Sequence, residues 1–405
     1  MFLTQRETGI ALSDCVAPNS IQLLLSCARA RNVDRDRVRA SAQEITDWDA
    51  LTVVAEFHGL SALVCRTMEG VCPDLVPENV VSRLRDGYRD SARRNLVLTS
   101  QLFSLISAFQ IEGIDVMPLK GPVLAELLYP DPVLRPFSDL DILVRKTDVP
   151  AAMRVLSLEE YRLGAHLARL SLHTVLNLNC ELLFRHERAA HVDLHWEIGP
   201  ADYPFRFDTD ILWRSSSQIR IAGRQVASLF PESLLLFLCV HGTKHMWSRL
   251  LWLGDVARLV SAPLDWSVAF ELAAEASCTR PLLLGLLLVH EILEAPVDEQ
   301  FLKRARAIEA VRLRAKEATR RLTFAVPTEP QSWELTVFNA RMAERTWDKA
   351  RHCAALLKAP TERELELLSL PERLFFLYYP LRVARLALKY GSRELADEPG
   401  VCPPG

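Results

Sequence analysis

An α+β fold, with a small mixed α/β core held between an N-terminal and a C-terminal helical region, is the architecture this sequence predicts. Two changes of period predict it. Apolar residues recur at helical spacing from residue 18 to about 110, fall into short alternating runs between 110 and 230, and return to helical spacing from Pro231 onward. A third observation is length: 405 residues exceed what one compact core holds, so two or three domains are expected. The division read from these shifts is a helical region over 1–110, a core over 111–230 and a helical region over 231–405.

The N-terminal helices begin at "PNSIQLLLSCARA", where Asn19 and Ser20 supply a cap signal ahead of an apolar stripe. "DWDALTVVAEFHGLSALVCRTM" continues the helical spacing, and the stretch from Val76 to Gly113 reads as one or two further helices. The period then changes. "IDVMPLK" (114–120) predicts a short buried strand, and "PVLAELLY" (122–129) a short helix with Pro122 in its first turn. "LDILV" (140–144) predicts a second strand and 148–161 another helix. Residues 174–198 read as two strands around a polar turn near Glu187–Ala190, and 217–229 as a hairpin through Gly223. Helices are expected from Pro231 to about 260, over 265–293 and 298–322, and twice more past 361. The last is a packed terminal helix broken at Pro380, and a disordered tail follows it.

Composition excludes several classes. With 49% hydrophobic and 24% charged residues and a net charge of −3, the chain is ordinary for a soluble protein and is not a general nucleic-acid binder. Nothing at the N-terminus reads as a secretory signal. The most apolar helical run, 281–293, is too short for a bilayer. Nine dispersed cysteines without a CxxC pair suit reduced thiols, so a cytoplasmic location is expected.

The chemistry concentrates in "RPFSDLDILV" (135–144). Side chains alternate across a strand, so Asp139 and Asp141 share one face, where like charges repel. By the same rule His191, Asp193, His195 and Glu197 share a face on the later strand. Strand pairing that brought Asp193 beside the pair would gather three carboxylates, a cluster that calls for Mg²⁺, with Mn²⁺ as a substitute. Two such ions hold the attacking and leaving oxygens in phosphoryl or nucleotidyl transfer. The competing reading has the aspartates capping a turn or pairing with Arg135 and Arg145.

Its context, "VMPLKGPVLAELLYPDPVLRPFSDLDILV" (116–144), resembles the signature of the polymerase-β-like nucleotidyltransferase superfamily: strand, glycine turn, short helix, then a strand bearing D-x-D. More closely it is similar to uncharacterised bacterial nucleotidyltransferases with the pattern "LKG…LY…R…SDLDILV". The likeness continues at Tyr161, in "VDLHWEI" (192–198) and in "HGTKHMWSRLLWLGDVARLV" (241–260), and covers about residues 20–260. It implies that Asp139 and Asp141 ligate the two metals. Asp193 completes the second metal site and helps deprotonate an acceptor hydroxyl, and Gly121 lets the backbone approach phosphate. The superfamily has Ser after that glycine, whereas this chain has Pro122. Lys120 is expected to reach the β- and γ-phosphates in compensation, with Ser138 and Arg135 assisting.

Other candidates are weaker. His241 and His245 are four apart on a helix, but "HGTKH" lacks the glutamate of a zinc-protease motif. Lys244, His245 and Arg249 are expected either to face phosphate or to cap and pair within a helical domain. His195 fits as a partner holding Asp193 from behind, Trp196 as core and His186 as surface. The run 301–321, with eight basic and two acidic residues, is a docking site for RNA or a solvated face.

The expected function is therefore Mg²⁺-dependent transfer of a nucleoside monophosphate from an NTP, ATP among them, to an acceptor hydroxyl, releasing pyrophosphate. Lasso-peptide and polysaccharide genes often neighbour the resembling family, which favours a peptide or small-molecule acceptor. RNA is the other acceptor kept in view, and neither DNA nor membrane is an expected partner. The alternatives are a toxin-like nucleotidyltransferase acting on tRNA or protein, or a catalytically inactive nucleotide-binding scaffold.

Overall fold

A computed structural model describes residues 18–30, 34–165, 167, 170–199, 203–205, 209–324, 328–358, 368, 370 and 372–394. The N-terminal region contains α1 (Pro18–Ala28), α2 (Arg35–Gln43), α3 (Trp48–Phe57), α4 (Ser61–Val71) and α5 (Glu78–Ile111). The run beginning at Trp48 is two helices rather than one, because the chain turns at Gly59, whose φ is +72°. Asp34 and Asp47 cap α2 and α3, each accepting a backbone N–H three residues on.

The core follows as β1 (Val116–Pro118), α6 (Pro122–Leu128), β2 (Asp139–Val144), α7 (Val149–Leu158), β3 (Arg162–Leu163), α8 (Leu172–Leu178), β4 (Glu181–Arg185) and β5 (His191–His195). The strand expected from residue 174 starts only at Glu181; residues 172–178 form a helix capped by Ser171. The five strands order as β1-β2-β5-β4-β3, with β2 and β5 parallel and the other pairs antiparallel. After α9 (Thr209–Arg214), β6 (Ser216–Ile221) and β7 (Arg224–Leu229) form a separate hairpin, as the Gly223 turn predicts.

The C-terminal helices are α10 (Pro231–Lys244), α11 (Leu250–Leu259), α12 (Trp266–Glu275), α13 (Thr279–Leu293), α14 (Glu299–Ala307), α15 (Glu309–Phe324), α16 (Ser332–Met342), α17 (Thr346–Lys358) and α18 (Tyr378–Glu394). The single helices expected over 265–293 and 298–322 are each broken, near Ser277 and at Ile308. Pro380 does not break the last helix but sits in its first turn, where its missing N–H costs nothing. Of the two helices expected past 361, residues 359–367 lie outside the described residues, as does the tail from 395. Among the described residues no helix is long and apolar enough to cross a membrane.

Two cores result. Helices α1 to α4 pack with α10, α11 and α13 in one continuous apolar cluster, with α13 buried at its centre. The second core lies between one sheet face and α5 and α7, and it takes Leu140, Ile142 and Val144 from β2 and Val192 and Leu194 from β5. Strand alternation therefore turns Asp139, Asp141, Asp193 and His195 away from that core, toward the helices of the first. The site lies between the two.

Candidate functional site

β2 and β5 run side by side in a register that makes Asp141 and Asp193 direct partners, with Asp139 opposite His191. On the antiparallel neighbour, Glu181 stands opposite His195 and shares its face. Asp139, Asp141, Glu181, Asp193 and His195 line a cavity of about 390 Å³, together with Lys120, Gly121, Arg135 and Ser138. Phe57, His58, Phe237, His241, Lys244, His245, Arg249 and Trp252 close it from the helical side. Every residue that the sequence singled out for the site thus borders one cavity.

Across the floor runs a chain of alternating charge. Lys120 Nζ lies 2.8 Å from Asp141 Oδ1, His195 Nε2 lies 3.2 Å from the same oxygen, His195 Nδ1 lies 3.1 Å from Glu181 Oε2, and Lys244 Nζ lies 3.5 Å from that oxygen. Burial alone would neutralise these groups, and their partners oppose it. Burial depresses His195, but Glu181 and Asp141 outweigh it and hold the imidazole up at about 9, so it is an imidazolium. Burial likewise favours neutral Asp141 and neutral Glu181. Lys120 and His195 keep the first ionised, and Lys244 and His195 the second.

Asp139 and Asp193 behave oppositely. Burial and the Asp141 charge raise both, Asp193 to about 7, and neither forms an ion pair among the described residues. The two arginines that could have neutralised the pair are engaged elsewhere. Arg135 forks onto Asp255 of α11 through Nε at 3.0 Å and Nη2 at 2.9 Å, and Arg145 lies over the Trp213 ring. Arg135 thus anchors the loop leading into β2 while also bordering the cavity.

Gly121 precedes α6 with φ +55° and ψ −122°, backbone open to glycine alone. Pro122 occupies the first helical position, and the N–H of Val123 is bonded to the Lys120 carbonyl. Lys120 supplies the positive charge on that side. Its own burial opposes that charge, while Asp141 and Asp139 preserve it.

"HGTKHMWSR" reaches the site through an irregular break between α10 and α11. Met246 and Trp247 both take positive φ, 53° and 54°, and the Trp247 ring folds back over Gly242, where a Cβ would stand 2.6 Å from ring atoms. Lys244 and His245 are left at the cavity wall. His245 is not a cation there: burial, then Lys244 and Lys120, push it down to about 3. Arg249 is also committed, donating to the Phe57 carbonyl and the Glu329 carboxylate while stacking on the Phe57 ring at 3.9 Å. His186 is not a surface residue. Its side chain is 16% exposed, and its Nδ1 accepts the N–H groups of Arg188 and Ala189 to close the β4–β5 turn. Trp196 is fully buried, as expected.

The basic run is split between α14 and α15: Arg304 and Arg306 are exposed, lying over Phe270 and near Glu291, and Arg321 bonds Glu334. Sequence reasoning missed Glu181, Phe57, Phe237 and Trp252. Glu181 carried a usable signal, since Leu182 and Phe184 alternate with it as the buried face of β4. The aromatic residues carried none, because helical aromatics are usually core.

The parallel strand pair thus carries three carboxylates on one face, beside a lysine-bearing glycine turn. The chain belongs to a family of uncharacterised nucleotidyltransferases, which matches residues 44–294. Among solved structures, the crystal structure of an antigenic nucleotidyltransferase-like protein from Paracoccidioides brasiliensis is similar at 14% identity and a TM-score of 0.29, over 50% of this chain and 94% of that one. No curated protein matches the chain.

Proposed function

We propose that this protein transfers a nucleoside monophosphate from an NTP to the hydroxyl of a peptide or small-molecule acceptor and releases pyrophosphate, with Mg²⁺ as the metal. The observation that carries this reading is the lateral pairing of Asp141 and Asp193, with Asp139 on the same face. Two of the three carboxylates are raised and lack a cationic partner among the described residues, an arrangement that a divalent cation would relieve.

The donor set fits Mg²⁺ chemically, being carboxylate oxygen throughout. Among the described residues no three His, Cys, Asp or Glu side chains are gathered to hold an ion by themselves. That suits Mg²⁺, which is ordinarily held by one or two carboxylates, with phosphate and water oxygens completing the set. Of Asp139, Asp141 and Asp193, two at a time would hold it, with phosphate and water oxygens supplying the other positions. When bound, it would neutralise phosphate charge as the leaving group departs.

In the reaction the acceptor oxygen bonds to the α-phosphorus, the bond from that phosphorus to the oxygen bridging toward the β-phosphorus breaks, and pyrophosphate leaves. The acceptor proton passes to Asp193, which stands beside Asp141 on the same face of the sheet. Lys120 and Lys244 flank the carboxylates as charge partners for the triphosphate.

The test is to incubate the protein with each NTP labelled at the α-phosphorus, Mg²⁺ or Mn²⁺, and cell extract. Label in a peptide or small-molecule fraction is expected. Transfer by an Asp139→Asn or Asp141→Asn variant at the wild-type rate would overturn the reading.

A further inference from the structure

The helical wall of the same cavity carries a cluster of rings. Phe237 and His241 lie stacked with centroids 6.2 Å apart, His241 and His245 are 4.8 Å apart, and Trp252 meets His241 edge-on at 5.1 Å and His245 at 5.5 Å. Phe237, His241 and His245 recur every four residues, so they form one stripe along α10, and Trp252 comes from α11.

Two features say what this wall is built to take. Burial, together with Lys120 and Lys244, keeps both imidazoles neutral, so each offers one donor and one acceptor and no charge. Neither ring makes a protein hydrogen bond among the described residues, so their nitrogens can bond an occupant of the cavity they line. A matching occupant is therefore planar, uncharged and edged with donors and acceptors. At about 390 Å³ the cavity is near the small end of ligand sites and admits one small molecule, leaving an acceptor to approach from its mouth.

Resting on the nucleotidyltransferase reading, we propose that this aromatic wall is the nucleobase subsite. His241 and His245 hydrogen-bond the edge of the base, and Trp252 packs against its face, with Phe237 backing the His241 ring. One cavity then offers groups for both parts of one nucleotide: carboxylates and lysines for the triphosphate, neutral rings for the base. Base stacking on aromatic side chains carries discrimination of about 10- to 100-fold per base.

The experiment measures binding of ATP, ribose 5-triphosphate and inorganic tripolyphosphate, each with Mg²⁺, to the full chain. Wild type should bind ATP about 10- to 100-fold tighter than ribose 5-triphosphate. Trp252→Leu and His241→Phe should each remove most of that gap while leaving tripolyphosphate affinity unchanged, which also shows that the variants are folded. Equal affinity of wild type for ATP and ribose 5-triphosphate overturns the subsite, as does a gap that survives both substitutions or a uniform loss of all three ligands. If wild type binds none of the three, the nucleotidyltransferase reading itself falls and takes the subsite with it.

Discussion

Arg135 and Asp255, 120 positions apart in sequence, form a buried ion pair in which the guanidinium reaches both carboxylate oxygens. Their side chains are 5% and 1% exposed, and Tyr129 adds a hydroxyl donor to the same carboxylate at 2.9 Å. The pair ties the loop entering β2 to α11, and so joins the carboxylate strand to the helical wall of the cavity. Breaking it should leave a buried charge without a partner. Asp255→Ala is expected to cost about 3–5 kcal/mol in chemical denaturation, and Arg135→Met with Asp255→Leu clearly less. A double variant as unstable as the single one would contradict this role.

Asp139→Asn and Asp141→Asn should part company in stability while sharing a loss of transfer. Asp139 is destabilised by burial and by Asp141, so its amide should leave stability within about 1 kcal/mol. Asp141 bonds both Lys120 and His195, so its amide should unfold earlier. Both should lose about a thousandfold or more in α-label transfer, or ~4 kcal/mol of barrier. Equal denaturation midpoints for the two would show that the Lys120–Asp141–His195 contacts contribute little.

Stability of the protein in EDTA should fall as pH rises. Asp193 is raised from 3.8 to about 7 by burial and Asp141, so between those values the folded chain keeps a proton that the unfolded chain has lost. His195, raised from 6.5 to about 9, contributes stability that is complete below 6.5 and lost toward 9. Asp193→Asn should make the lower window shallower, leaving the part that Asp139, also raised, contributes, and should leave the upper one. A denaturation midpoint falling as before between pH 4 and 7 in that variant would exclude Asp193 as the source.

Gly242 leaves room for the Trp247 ring. Gly242→Ala would set a methyl 2.6 Å from ring atoms that Gly285 also confines from the other side, so the indole must shift. Overpacking of this kind costs about 1–3 kcal/mol. Because His245 and Trp247 share the same turn, nucleotide affinity should fall with stability. Crystals of the variant with an unmoved Trp247 would refute the argument.

Glu181 holds the far end of the charge chain. Glu181→Gln keeps the shape but removes the charge that Lys244 and Nδ1 of His195 face, so His195 should lose its proton more easily and grip Asp141 less firmly. Loss of such a supporting contact typically costs 10- to 100-fold in activity, expected here mainly in kcat. Glu181→Asp should recover part of it. A wild-type kcat for Glu181→Gln would remove Glu181 from the machinery.

The sequence by itself determined the local features. Alternation along 139–144 and 191–195 placed the acids on single faces, Gly121 and Pro122 marked the turn before α6, and apolar spacing separated helices from core. These follow from backbone geometry acting over a few residues, which is why they are legible without a fold. Only the tertiary structure decided the rest. Strand order put Asp193 beside Asp141, a long-range pairing took Arg135 to Asp255, and the packing of α10 against α11 turned ordinary-looking aromatics into a cavity wall. Such partners lie far apart in sequence and meet only when the two cores close on each other. Each carries the same one-dimensional signal whether it ends in the core or at the site.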